Sequence, residues 1–247
     1  MATVMESTAR WGAVSVRQSR SAVDGLGGFV WNGAFKLCAF LEKERERLVQ
    51  GKRVLELGAG CGLPGIVAAT LGASAVVLTD QFTDLLEPNV AVNAEHCTAP
   101  IEVATLGFGA GAAEVQQLEA LLAPAPFDLV LGSEITSLGR ETQGLLLQSL
   151  SLLRKRSAAG MRLLLVSDMC GKGCDGKCAT GCPTARFLLQ LSAAGWQVVV
   201  AEAFQYCDDP EIVRLARTDP LNFADGMEEE DWAAIWELEL CAPPGDR

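Results

Sequence analysis

Five apolar runs recur between residues 53 and 168, each separated from the next by a stretch with helical patterning. They are RVLELG (53–58), AVVLTD (75–80), IEVATL (101–106), FDLVLGSE (127–134) and MRLLLVSD (161–168). Two more, WQVVVAEAF (196–204) and AIWELEL (234–240), follow. Helical segments are predicted near 64–71, 84–95, 114–122, 141–154 and 183–193. Strands alternating with helices of this length predict βαβ units and a parallel sheet with helices on both faces. The strands alternate poorly between apolar and polar, as expected when both sheet faces are buried. Residues 1–50 read as an N-terminal extension, a hairpin-like segment plus a covering helix over 35–49 whose EKERER half faces water. No internal repeat or long linker divides the chain, so a single domain over 1–247 is expected.

Composition narrows the partners. A formal net charge of −11, with no basic cluster beyond Arg154-Lys155-Arg156, disfavours nucleic acid and anionic membrane and suits a protein substrate with a basic surface. No run of about 20 apolar residues suggests a membrane span. The N-terminus lacks the apolar region of a secretory signal, and its Ser and Arg content leaves organelle targeting a minor reading. Nine cysteines without such a signal imply free thiols in a reducing compartment, with the cytoplasm expected and the nucleus an alternative. The single histidine, His96, and the lack of a placed G-x-S-x-G argue against a hydrolase triad.

The first apolar run ends in a loop with two readings. Gly58, Gly60 and Gly62 spell G-x-G-x-G, as in methyl-donor sites, whereas Gly60, Gly62 and Gly65 spell the dinucleotide pattern G-x-G-x-x-G. Glu56 favours the first, because a pyrophosphate would meet its carboxylate while a cationic sulfonium would not. Asp80 ends the next run and suits ribose hydroxyls in either case; its plainer role is that of a turn residue.

Beyond the loop, FVWNGAF, VLELGAGCGLPGI, VVLTD followed by LLEPNVAVNAE, LGFG, FDLVLGSEIT and FLLQLSAAGWQV occur in order. Together they resemble the family-16, seven-β-strand protein methyltransferases that use S-adenosylmethionine, over about residues 28–240. The resemblance implies a class I, Rossmann-like methyltransferase with a seven-stranded, mostly parallel sheet and one antiparallel member near the end. It implies that Glu56, Gly58, Gly60 and Gly62 floor the donor site, that Asp80 holds the ribose, and that Trp31 stands at the site's edge. Phe108 replaces the usual family tryptophan and is expected near the adenine. Asn89 and Asn93 receive no role. Family members usually follow the acid of the fourth core strand, after two residues, with an aromatic beside the target nitrogen. Here Glu134 supplies the acid as the candidate catalytic residue, but Ser137 replaces the aromatic.

Cys170, Cys174, Cys178 and Cys182 recur every four residues in a glycine-rich stretch read as a loop over 170–182. Four thiols can bind zinc, although structural sites favour shorter pairs; a redox-sensitive insertion is the alternative. The leading expectation is methylation of a protein lysine. Others are methylation of a small molecule or another protein nitrogen, a catalytically weak donor-binding protein acting through partners, and, distantly, a nicotinamide oxidoreductase.

Overall fold

The structure is a computed structural model and describes residues 6–19, 25–156, 160–168, 183–203 and 233–240. Two strands, β1 (Glu6–Trp11) and β2 (Val14–Ser19), form an antiparallel hairpin ahead of helix α1 (Asn32–Lys43). Alternation then follows through β3 (Arg53–Leu57), α2 (Leu63–Thr70), β4 (Ala75–Asp80), α3 (Leu86–Asn93) and β5 (Ile101–Thr105). It continues with α4 (Ala112–Leu122), β6 (Leu129–Ser133), α5 (Arg140–Arg156), β7 (Arg162–Asp168), α6 (Pro183–Ala193), β8 (Trp196–Ala203) and β9 (Ala233–Leu240).

The seven-stranded sheet has the order β5-β4-β3-β6-β7-β9-β8. Only β9 runs against the others, pairing antiparallel with β7 and with β8. Alternate residues of each strand feed two apolar layers. Leu55, Leu57, Val130, Leu163, Leu165 and Trp236 face α4, α5 and α6, whereas Val54, Leu129, Leu131, Leu164, Val166 and Ile235 face α1, α2 and the hairpin. Burial on both faces explains the near-continuous apolar runs. After β5 the chain crosses back to place β6 beside β3, so the carboxyl ends of β3 and β6 diverge and leave a crevice between them.

The covering helix differs from the single helix expected over 35–49. It ends at Lys43, and one π-turn spans Arg45–Val49. That turn carries Arg47 onto Glu237 of β9, with Nη1 donating to Oε1 at 2.7 Å and Nη2 to Oε2 at 2.8 Å. Glu237 is buried, so the bidentate pair compensates for a carboxylate placed inside the sheet layer.

Two buried asparagines of α3 fasten the hairpin to the body. Asn89 accepts from Arg17 N at 2.8 Å and donates to Arg17 O at 3.0 Å, and Asn93 does the same with Ser15 at 2.9 and 2.8 Å. Asn89 Nδ2 also donates to the carbonyl of Cys61, inside the glycine loop, at 3.0 Å. Replacing Asn89 with Ala would strand the buried Cys61 carbonyl and the partly buried amide and carbonyl of Arg17. It is expected to lower the unfolding free energy by about 3 kcal/mol in a denaturant titration; a loss well under 1 kcal/mol would mean that water replaces the amide.

Candidate functional site

The crevice holds a cavity of about 530 Å³, a size that suits a small-molecule cofactor. Trp31, Glu56, Gly58, Gly60, Gly62, Asp80, Phe108 and Glu134 all line it, as does Ser137. Residues far apart in sequence therefore meet because four strands end at the same edge of the sheet.

The floor is the turn between β3 and α2. Gly58, Gly60 and Gly62 all take left-handed backbone angles, with φ of 62°, 55° and 83°. At Gly60 a second constraint acts: an added Cβ would lie 2.8 Å from the carbonyl oxygen of Gly27. Asp80 holds this turn, accepting from Gly60 N at 2.9 Å through Oδ2 and from Phe82 N at 3.0 Å through Oδ1. The turn role of Asp80 is thus real, and each oxygen keeps a lone pair for a ligand hydroxyl. Cys61 is buried, and its thiol points to the Gly27 carbonyl at 3.5 Å.

Glu56 sits beneath the loop, fully buried, with Oε2 accepting from Gly65 N in α2 at 2.8 Å. Burial pushes its carboxyl up to about 8, with the nearby Asp80 charge adding to the rise and the Gly65 amide opposing it. Cys38, buried in α1, also has its thiol pushed up, first by burial and then by Glu56 and Glu42.

Glu134, just past the end of β6, has a φ of 59°, the only left-handed angle at a non-glycine position among the described residues. Such a conformation costs on the order of 1 kcal/mol and persists only where neighbours enforce it. Its amide donates to Val166 O at 2.8 Å, and Ser167 Oγ donates to Oε2 at 3.1 Å. Gly33, in the first turn of α1, lies against the carboxylate so closely that an added Cβ would stand 2.1 Å from Oε1. A carboxylate against a helix N-terminus is also favoured by the helix dipole. Ser137 Oγ donates to the Glu134 carbonyl at 3.0 Å, closing the turn that follows.

Aromatic side chains wall the cavity mouth. Trp31, 44 % exposed at the N-cap of α1, donates from Nε1 to Leu26 O at 3.0 Å and stands edge-on to Phe29, ring centroids 5.9 Å apart. Phe108 reaches in from beyond β5, near Gly58 and Ile135. Ser133 Oγ is buried beside the cavity without a hydrogen-bond partner among the described residues, leaving a polar atom for an occupant to satisfy.

Sequence reasoning passed over Gly33, Asn89, Ser133 and Ser167. Small and amide residues carry little signal until a neighbour's approach is known. The i, i+4 asparagines, on the one face of α3 that also carries the buried Leu86, were the one visible hint. His96 stays outside the cavity, partly exposed beside Glu95. Cys170, Cys174, Cys178 and Cys182, with the acidic stretch 225–232, lie outside the described residues. Among the described residues no cluster of three metal-ligating side chains occurs.

The raised carboxyl of Glu56 has a defined sign. Between about pH 4.5 and about pH 8 the folded protein keeps a proton that the unfolded chain has released, so this group lowers stability as pH rises through that window. Urea titrations of the ligand-free protein from pH 5 to 9 should show Glu56→Gln gaining stability over the wild type across the window. Parallel curves would mean that Glu56 ionises normally.

Comparison with known proteins places this geometry. METTL21A of Danio rerio, a protein N-lysine methyltransferase, is 41% identical over 132 residues, covering 52% of this chain and 56% of that protein. EEF1A lysine methyltransferase 3 of Xenopus tropicalis is 34% identical over 140 residues, covering 56% and 57%. The chain spans just over half the length of these two relatives. Among solved structures, SMU.776 complexed with SAH superposes with a TM-score of 0.59 at 11% identity, covering 95% of this chain and 56% of that one. That likeness concerns the fold, which is the Rossmann-like fold of the methyltransferases. Residues 13–168 match the family described as lysine methyltransferase, so the chain belongs to the lysine methyltransferase family.

Proposed function

We propose that the protein transfers a methyl group from S-adenosylmethionine to the side-chain amine of a lysine in a protein substrate. The observation that carries this reading is the meeting, in one cavity, of the Asp80-braced glycine loop with Glu134 and the Phe29–Trp31 pair. Asp80 offers two anchored carboxylate oxygens to ribose hydroxyls. The three left-handed glycines bring backbone close to a ligand without side chains in the way. Phe108 offers an apolar face to a purine. Ser133 Oγ and the carboxyl of Glu56 are polar groups suited to the cationic, amino-acid end.

The bound donor supplies an electrophilic methyl carbon on a sulfonium. This chain supplies placement and proton handling. An entering lysine ammonium is desolvated by Phe29, Trp31 and Leu138, which favours its neutral form. Glu134 accepts a hydrogen bond from that amine, aims its lone pair and can receive its proton. The Phe29–Trp31 pair provides the aromatic wall that Ser137 does not. A net charge of −11 favours an acceptor with a basic surface. Ser137 also motivates a second reading, in which the acceptor is a small molecule or another protein nitrogen.

Calorimetric titration with S-adenosylmethionine tests the donor side. Asp80→Asn, which keeps one carbonyl oxygen and loses one of the two loop hydrogen bonds, is expected to weaken binding by about 2 kcal/mol, roughly thirtyfold. With tritiated donor and cell extract, label should enter protein as methyllysine, and Glu134→Gln should slow its appearance about a hundredfold at unchanged donor affinity. Label confined to small molecules would favour the second reading. Donor binding without any labelled product would favour a binding protein instead.

A further inference from the structure

Behind Glu134 lies a row of buried hydroxyls. Ser167 Oγ, in β7, donates to Glu134 Oε2 at 3.1 Å; Thr184 Oγ1, in the first turn of α6, donates to Ser167 Oγ at 3.4 Å. Thr184 Oγ1 also lies 3.2 Å from Thr136 Oγ1, two residues beyond Glu134. All three hydroxyl residues are essentially inaccessible to water. Each hydroxyl has one proton to give. Thr184 spends its proton on Ser167, so Thr136 must be the donor to Thr184. The three dipoles then point the same way, toward the carboxylate, and each bond polarises the next. The row is anchored at its far end by Gln143 of α5, whose Nε2 donates to Thr136 O at 2.5 Å and to Pro183 O at 3.1 Å.

We propose that Ser167, Thr184 and Thr136 are positioning residues, a one-way hydroxyl row that fixes the direction of the Glu134 carboxylate at the cavity wall. The proposal rests on the reading of Glu134 as the group that meets the target amine. Its physical content is twofold. The row gives the carboxylate a buried hydrogen-bond donor whose own strength is raised by the two hydroxyls behind it. Holding the carboxylate from the side away from the cavity also fixes its direction, and orientation is the main contribution a protein makes to an in-line transfer. None of the three hydroxyls lines the cavity, so an effect on transfer must pass through Glu134.

Crossed substitutions at Thr184 separate the hydroxyl from its packing. Thr184→Val keeps the shape and removes the proton donor; Thr184→Ser keeps the donor and removes a methyl. The readout is the single-turnover rate of label transfer from pre-bound tritiated S-adenosylmethionine to extract protein, with donor affinity and melting temperature measured alongside. Ser167→Ala and Thr184→Val should each slow transfer about tenfold at unchanged donor affinity, with Thr184→Ser close to wild type. Thr184→Ser as slow as Thr184→Val would overturn the proposal, because packing alone would then explain the loss. So would an unaffected Ser167→Ala beside a slowed Glu134→Gln. A Glu134→Gln variant that transfers at the wild-type rate would instead remove the reading of Glu134 on which the proposal stands. Should Ser167→Ala fail to fold, the Thr184 pair decides the question alone.

Discussion

The site depends on how the backbone between Gly25 and Gly33 lies across the mouth of the crevice. At Gly27 it touches the glycine loop on the β3 side, and at Gly33 it presses on Glu134 on the β6 side. The first contact leaves no room for a Cβ at Gly60 and the second leaves none at Gly33, so this backbone approaches both walls directly. Trp31 and Phe29 stand between these two glycines, and their place at the mouth follows from that double contact. The left-handed backbone of Glu134 belongs to the same constraint, since the helix start leaves its carboxylate little freedom.

Three carboxyl groups face this small space, and each is held by a different kind of donor. Glu56 has a helix amide and burial, which pushes it toward neutrality. Asp80 has two loop amides, and Glu134 has a hydroxyl. Like charges so close would repel if all were ionised and unsupported. Burial of Glu56, which pushes it toward the neutral form, eases that repulsion and lets the acids share the space. The same arrangement suits poorly a ligand rich in phosphate, which is why the glycine pattern alone is a weak guide and its acidic neighbour a better one.

The strands were legible because two-sided burial leaves long aliphatic runs; both ends of β4 and α6 agree with those read from sequence, and the others differ by one or two residues, except the covering helix, which begins three residues earlier and ends six earlier. The glycine loop and Asp80 were legible because turn geometry demands specific residue types. The break at Glu44 was not, since EKERER has an unbroken helical pattern; what interrupts it is a buried acid, Glu237, almost two hundred residues away that draws Arg47. Gly33 and Ser167 escaped for a similar reason. Their importance lies in the neighbour each must approach, and no local pattern records a tertiary contact.

The asparagines of α3 have one more effect. β2 pairs with β1 along one side, which leaves the amides and carbonyls of Ser15 and Arg17 directed outward. An edge of that kind is a template on which another chain can add a strand, and small two-stranded sheets have few means of hiding it. Here two side-chain amides of a helix take the place of the missing strand, each giving one donor and one acceptor. The outer edge of β2 is thereby closed to a further strand, and one of the two side chains, Asn89, also braces the glycine loop through the Cys61 carbonyl.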